Sequence, residues 1–543
     1  MPVDQDARTR PAPDAKALYR SSPKWLIRST RIQDGAAQRK PPAFFFFDHF
    51  HKSRAVALWI VLHIILGQLA KGAPIVGTIH GVATAIVCIY LALTSERIMI
   101  VIATMGYAAC GDVFWRMTGS KVPWELSKYL VVITSVIILI RWIGRPRSGF
   151  ATAMMILLVP ALVPTIQILG LSQLRDRFAF ILLGLYAMAT AAMVTRRLRV
   201  QWEEVRILLW AMLGPIICVA SIAASAVSKL NLSDFSSIQS NNKASGGYGA
   251  NQVSSLLGLG VMLCLYIALQ DQNWVNRVMC IALGSWCMGQ CVITLSRGGM
   301  ANIALALLLA APHILMHERL GLRLVVGFSI VAMVGGLILL PRLDALSGGA
   351  VEKRFKDGNT TERGELAGID MQLFADHPAF GVGVGISDKY HRLSVDGFAI
   401  ASHTEFTRLL AEHGMLGVGV ILCMVGLAIE AYRRQTNWFG RAWTISLVGW
   451  TAMDLSNAST RNAINGFVFA MAMLAIDEPQ PAVEETGPEL LEHQGDPVVE
   501  PGGPSLLPAL AAADSSQDLH RAHRSYTRPN IGSPITFDLP DHR

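Results

Sequence analysis

Charge is what this sequence has least of. Asp, Glu, Lys and Arg make up 16% of its 543 residues, while apolar residues make up 52%. Soluble domains are about one-quarter charged, so a soluble globular class is excluded. Cysteine is scarce too. All eight (Cys88, Cys110, Cys218, Cys264, Cys280, Cys287, Cys291 and Cys423) fall within apolar runs, so no disulfide framework is implied. Cys287 and Cys291 are one helical turn apart but have no His or carboxylate partner in the sequence, which reads as core packing. His377, His391, His403 and His413 lack metal-ligand spacing, and no Asp-x-Asp pair points to a divalent-ion site, so neither metal nor cofactor is expected. Gly381-Val382-Gly383-Val384-Gly385 lacks the strand–helix unit of a dinucleotide fingerprint. The first 54 residues lack the short apolar core of a cleavable signal. No folded nucleic-acid-binding module is visible, and the net charge of +8 belongs to tails and loops.

What the chain has in abundance is apolar length. A bilayer core takes about 20 apolar residues per helix. Runs of that order recur near 55–70, 74–94, 97–115, 128–143, 150–170, 178–195 and 205–228, and again near 251–269, 276–295, 299–316, 322–340, 406–430, 442–456 and 461–476. Backbone in lipid must satisfy its own hydrogen bonds, so the expected fold is all-α: a polytopic membrane protein with about fourteen transmembrane helices. Residues 1–54 read as a disordered basic cytoplasmic tail, 55–476 as the transmembrane domain and 477–543 as a second disordered tail.

Short basic connections set the orientation. Counting spans from a cytoplasmic N-terminus makes 141–147, 196–199, 319–323 and 433–441 cytoplasmic, along with both termini. The same count puts the polar 341–405 loop outside. The remaining polar clusters then share that outer side: Asp112 to Arg116 with 122–129, the Gly-rich stretch 240–252, Ser296-Arg297-Gly298-Gly299, and Asn457 to Asn462. This coincidence was not built into the count, and it places one site there.

Arg297 stands between two apolar runs with no other charge nearby. It reads either as an interfacial arginine that snorkels or as a bidentate grip on a diphosphate. Ser245-Gly246-Gly247-Tyr248-Gly249 reads either as a turn before a helix or as a place where backbone N–H groups meet an anion. In the long loop, Asn359 to Glu362 reads as an N-cap ahead of an amphipathic helix that ends at Asp376-His377-Pro378. Its apolar face (Leu366, Ile369, Leu373, Phe374) suits a helix lying flat on the membrane. Arg354 and Arg363 add cations to this loop, and Arg363 sits in the first helical turn, where an acid would suit the dipole. Beyond His403, Arg408 and Glu412 are one turn apart and are expected to pair.

Together these motifs resemble a known family. They are Ser296-Arg297-Gly298-Gly299; Arg363 ahead of Asp376-His377-Pro378-Ala379-Phe380-Gly381-Val382-Gly383; and His403-Thr404 followed by Gly414-x-x-Gly417. The set resembles the O-antigen ligase and polysaccharide polymerase superfamily, and residues 245–254 look like a segment of its O-antigen and exopolysaccharide polymerase branches. The resemblance implies a metal-independent glycosyltransferase of the bacterial inner membrane. It would move a glycan from undecaprenyl-diphosphate-linked oligosaccharide to an acceptor sugar at the periplasmic face, with polymerisation preferred over ligation to lipid A core. Carried onto this chain, Arg297 and His403 are the catalytic pair and Arg363 helps hold the diphosphate. Arg354, Arg116, Gly246, Gly247, Tyr248, Glu412 and Arg461 are further substrate-binding candidates. Implied partners are the lipid-linked donor, the glycan acceptor and membrane lipids, with chain-length regulators and export proteins as candidates. Thr404 stands where ligases usually have Asn, Ser or Gln, and Ala301 where they commonly have Leu. A lipid-linked sugar transporter, with His63 and His80 as mid-span polar groups, is the alternative from another class; no repeat between halves is visible.

Overall fold

The computed structural model describes residues 27–28, 49–143, 149–230, 240–316, 340–346, 348–349, 352–353, 361–391, 404–457 and 462–477. Ten described helices are long and apolar enough to cross a membrane, and the molecule is an all-α polytopic protein. In chain order the helices are α1 (Ser53–Gly72), α2 (Pro74–Thr94), α3 (Ile98–Met117), α4 (Leu126–Ile138), α5 (Gly149–Leu157), α6 (Leu162–Leu169), α7 (Leu171–Arg177), α8 (Leu183–Thr195) and α9 (Trp202–Val227). After them come α10 (Ala250–Gln270), α11 (Trp274–Ile293), α12 (Arg297–Leu315), the short α13 (Leu340–Leu346), α14 (Thr361–Asp376), α15 (Glu405–His413), α16 (Met415–Arg434), α17 (Trp438–Leu455) and α18 (Ile464–Ala472). The expected run at 322–340 falls almost wholly outside the described residues. So does everything from 478 onward.

Side-chain chemistry fixes the ends of these helices. Asn273 and Asn437 cap α11 and α17 by accepting from Val275 N–H and Gly440 N–H, and Gln201 with Glu204 forms a reciprocal box at α9. Two expected spans are interrupted. Pro160 separates α5 from α6, because proline removes a donor and restricts the residue before it, while Pro164 is accommodated in the first turn of α6. Gly414, at φ +60°, divides the expected 406–430 run into α15 and α16. Large buried aromatics (Trp115, Trp210, Tyr266, Trp443 and Trp450) fill the interior, where α12 packs along α17 and α9 along α3. The outward faces of α1 and α2 expose Leu58, Val61, Ile65, Ile79 and Ile86, as a lipid-facing surface should.

At one end of the bundle lies a small parallel sheet of β1 (Ile27–Arg28), β2 (Leu198–Val200) and β3 (Ala475–Ile476), with Arg28 opposite Arg199 and Val200 opposite Ile476. Within the first 54 residues, Ile27–Arg28 pair with β2, and Phe50 is buried against Trp59 and Trp210. Arg199 pairs with Asp477 at 2.7 Å and Arg196 with Glu430, while Arg434 donates to the Met473 carbonyl. Of the basic connections expected on one side, 196–199 and 433–441 thus share one end, while 319–323 lies outside the described residues.

Candidate functional site

The opposite end gathers the polar outer connections. The last turn of α3 presents Arg116, whose Nε lies 3.0 Å from Asp112 Oδ1 one turn earlier. Its terminal nitrogens donate to Asn462 Oδ1 (3.0 Å) and to the Trp124 carbonyl (2.9 Å), its plane covers the Trp124 ring, and the Tyr248 hydroxyl bonds it as well. Beside it Glu125 meets Lys128 Nζ at 2.5 Å, and that fully buried ammonium also donates to the Phe180 carbonyl. Burial pushes the Glu125 carboxyl above its usual range, with Lys128 and Arg116 pulling it back. Two cations and two carboxylates balance, so Arg116 is a fixed strut of the wall with most of its donors committed.

Gly246 and Gly247, at φ +70° and +82°, make a tight turn before α10. Their N–H groups donate to the Lys243 and Asn242 carbonyls, so both serve the turn, and the Gly246 carbonyl accepts from Lys71 Nζ at 2.8 Å. Of the two sequence readings, the geometry of these N–H groups matches the turn. Tyr248 reaches out of it to Gln252 Oε1 (2.7 Å) and to Arg116.

Arg297 opens α12, half-buried, directly after Ser296. Asn241 N–H donates to the Thr294 carbonyl, Ser296 Oγ to Asn251 Oδ1, and Ser254 Oγ to the Ser296 carbonyl. The 240–252 stretch is thereby sewn to the approach to Arg297. Leu295 holds φ +53°, a left-handed conformation that costs a side-chain-bearing residue about 1–2 kcal/mol. Of the two glycines after Arg297, Gly299 owes its place to packing, whereas Gly298 has room for a Cβ. A Cβ on Gly299 would overlap Ser254, and one on Gly298 would meet the Asn457 amide at 3.5 Å.

One buried residue escaped the sequence reading. Asp454, near the end of α17, accepts from Ser255 Oγ at 2.6 Å and Asn302 Nδ2 at 2.7 Å. Asn302 is five residues beyond Arg297 on the same helix. Glu405, at the start of α15, is within electrostatic reach of the same carboxylate. Three helices and the start of α15 therefore meet around Asp454. The available signal was an acid inside an apolar run.

The described part of the long loop forms a compact unit. The α14 face of Leu366, Ile369 and Leu373 is covered by packing, with Ile369 and Leu373 set against Val382, Ile386 and Ala411, so it does not lie bare on the membrane. Gly381, Gly383 and Gly385 all have positive φ; a Cβ would strike Glu412 backbone, Thr165 and Arg177 in turn, which explains the alternating glycines. Arg408 forms its ion pair with Glu405, correcting the expected Arg408–Glu412 bond; Glu412 instead accepts from Ser387 Oγ at 2.9 Å. Burial raises the Glu412 carboxyl to about 7 and lowers the neighbouring His413 to about 3, Arg408 opposing the first shift and adding to the second.

Arg116, Gly246, Tyr248 and Arg297 thus belong to one connected end of the bundle. Glu412 lies in the loop unit, at the far end of α15 from its cap Thr404. The backbone of Arg363 is in the first turn of α14, while its side chain, and His403, Arg354 and Arg461 entirely, lie outside the described residues.

Residues 282–422, about a quarter of the chain, match the family model described as O-antigen ligase. Over that segment the chain is similar to the O-antigen ligase family, which supports the resemblance to the O-antigen ligase and polymerase superfamily. No curated protein matches it. The matched segment runs from α11 into α16 and contains Arg297, Arg354, Arg363, His403 and Glu412, but not Arg116, Tyr248 or Asp454. The O-antigen ligase family implies glycosyl transfer of the ligase type, with a lipid-linked sugar donor and a glycan acceptor.

Proposed function

We propose that this chain polymerises O-antigen or exopolysaccharide repeats, moving a glycan from undecaprenyl-diphosphate-linked oligosaccharide to an acceptor sugar at the periplasmic face of the bacterial inner membrane. The observation that carries this reading is the convergence of polar connections from distant parts of the chain at one bundle end: Tyr248 on Arg116, Ser296 on Asn251, and Glu405 within reach of Asp454 below Arg297. In the reaction, an acceptor hydroxyl oxygen attacks the anomeric carbon as the bond to the diphosphate oxygen breaks. His403 takes the hydroxyl proton, since imidazole titrates near working pH. Undecaprenyl diphosphate leaves with its charge held by Arg297 and Arg363, which offer fixed bidentate donors where that charge develops.

The test is transfer by purified protein in liposomes supplied with lipid-linked oligosaccharide. His403→Ala and Arg297→Ala should each insert normally and lose about 100- to 1000-fold in rate, the usual effect of one lost charge-stabilising contact. Undiminished polymer from either variant would refute its role. Lipid flux without transfer would instead favour a transporter, but His63 and His80 are tied into one hydrogen-bonded chain through Tyr107 and Trp115.

A further inference from the structure

A carboxylate that the transfer chemistry does not use lies inside the loop unit. Asp370, in the third turn of α14, is fully buried. Its Oδ1 lies 3.0 Å from His391 Nε2, and its Oδ2 accepts from Thr407 Oγ1 at 2.8 Å. A carboxylate only accepts, which makes His391 Nε2 a donor and commits the Thr407 proton to Asp370. The Thr404 hydroxyl, 2.7 Å from Thr407 Oγ1, must then donate to it. Thr404 Oγ1 in turn accepts Thr407 N–H at 3.1 Å as the N-cap of α15. One buried charge therefore orients a directed chain from α14, through Thr407, to the cap of α15.

The ends of this chain matter for the site. Arg363 is seven residues before Asp370 on α14, and His403 is covalently next to Thr404. Burying a carboxylate costs several kcal/mol unless its bonds are well made, and apolar packing would hold two helices together more cheaply. What the charge adds is register: the chain admits one placement of α14 against the first turn of α15. We propose that Asp370, with His391 and Thr407, is a positioning device of the transfer site that fixes the Arg363 helix against the segment delivering His403. This rests on the transfer reading above. A misplacement on the order of 1 Å between reacting groups costs about 100-fold in rate.

The experiment compares polymer made per molecule of membrane-inserted full-length protein, in a strain deleted for the native copy, with thermal stability measured on the same purified variants. Asp370→Asn and Thr407→Val should each lower transfer at least tenfold with little change in melting temperature. Thr407→Ser, which restores the hydroxyl, should stay within about twofold of wild type. If Asp370→Asn does not insert, the Thr407→Ser and Thr407→Val pair decides. Wild-type transfer by Thr407→Val or Asp370→Asn, while His403→Ala is dead, overturns the positioning role alone. A fall in stability and yield with unchanged transfer per inserted molecule overturns it too, by making the chain merely structural. Normal polymer from His403→Ala and Arg297→Ala would instead bring down the transfer reading itself.

Discussion

Single residues here carry two separable kinds of constraint, steric and electrostatic. Gly299 is steric: its missing Cβ is what lets α12 lie against Ser254 directly behind Arg297. Gly299→Ala should cost about 1–3 kcal/mol by overpacking and displace Arg297. Gly289→Ala in α11, where a Cβ meets nothing, should be neutral or stabilising by about 0.5–1 kcal/mol. Thermal melting of the two variants checks this, and equal losses would sink the packing account. Glu412 and His413 are electrostatic, and their shifts oppose each other. The raised Glu412 keeps its proton in the folded loop while the unfolded chain loses it, so its contribution to stability falls as pH rises from about 4.5 to about 7. The lowered His413 stays neutral in the fold while the unfolded chain binds a proton, so its contribution rises from about pH 3 to about 6.5. Between pH 4.5 and 6.5 the two slopes cancel. Glu412→Gln removes one of them, so protection of the loop from proteolysis should climb with pH in that window in the variant and stay nearly level in wild type. Parallel profiles would contradict the assigned shifts.

At the scale of elements, the sequence made visible whatever depends on local periodicity. Apolar runs marked most helices to within a few residues, because lipid leaves a spanning segment no other way to satisfy its backbone. The amphipathic face of α14 was equally visible in Leu366, Ile369 and Leu373. Its cover was not, since Val382, Ile386 and Ala411 reach it through a chain reversal that no local pattern encodes. The same reason hid Asp454, whose partners Ser255 and Asn302 come from two other helices, and Asp370 with His391. Spacing also misassigned Arg408, because helical geometry offers partners three and four residues away and cannot choose between Glu405 and Glu412. The connection between α3 and α4 shows what such hidden partners are worth. Lys128→Met would leave Glu125 and Asp112 buried with one cation fewer, and should destabilise the protein by about 3–5 kcal/mol. Adding Glu125→Leu should recover much of that, because the orphaned charge goes with it. Detergent-solubilised melting of the single and double variants reads the difference, and a double variant no better than the single would mean the pair is held for something other than mutual compensation.

Across the whole molecule, the division of charge between the two bundle ends ties the fold to its orientation. One end holds the β1–β2–β3 sheet with Arg28, Arg199 and Asp477, the Arg196–Glu430 pair and Arg434. The other holds a charge-balanced wall at Arg116 and Lys128, together with Tyr248, Arg297 and Asp454. Basic residues flanking spans favour the cytoplasm, so the orientation we propose has the sheet inside and the Arg297 end outside. The assignment has a consequence that neither end supplies alone. Asp477 pairs with Arg199 across the sheet, so a reporter fused after 477 must share a compartment with the connection at 198–200. A reporter inserted between Gly385 and Tyr390, in the loop unit, must fall in the opposite one. Alkaline phosphatase should therefore be active at the loop position and silent after 477, and a cytoplasmic fluorescent reporter the reverse. If both positions report the same compartment, the transfer site would no longer face the periplasmic leaflet, and the roles proposed for Arg297 and His403 would lose the lipid-linked donor they require.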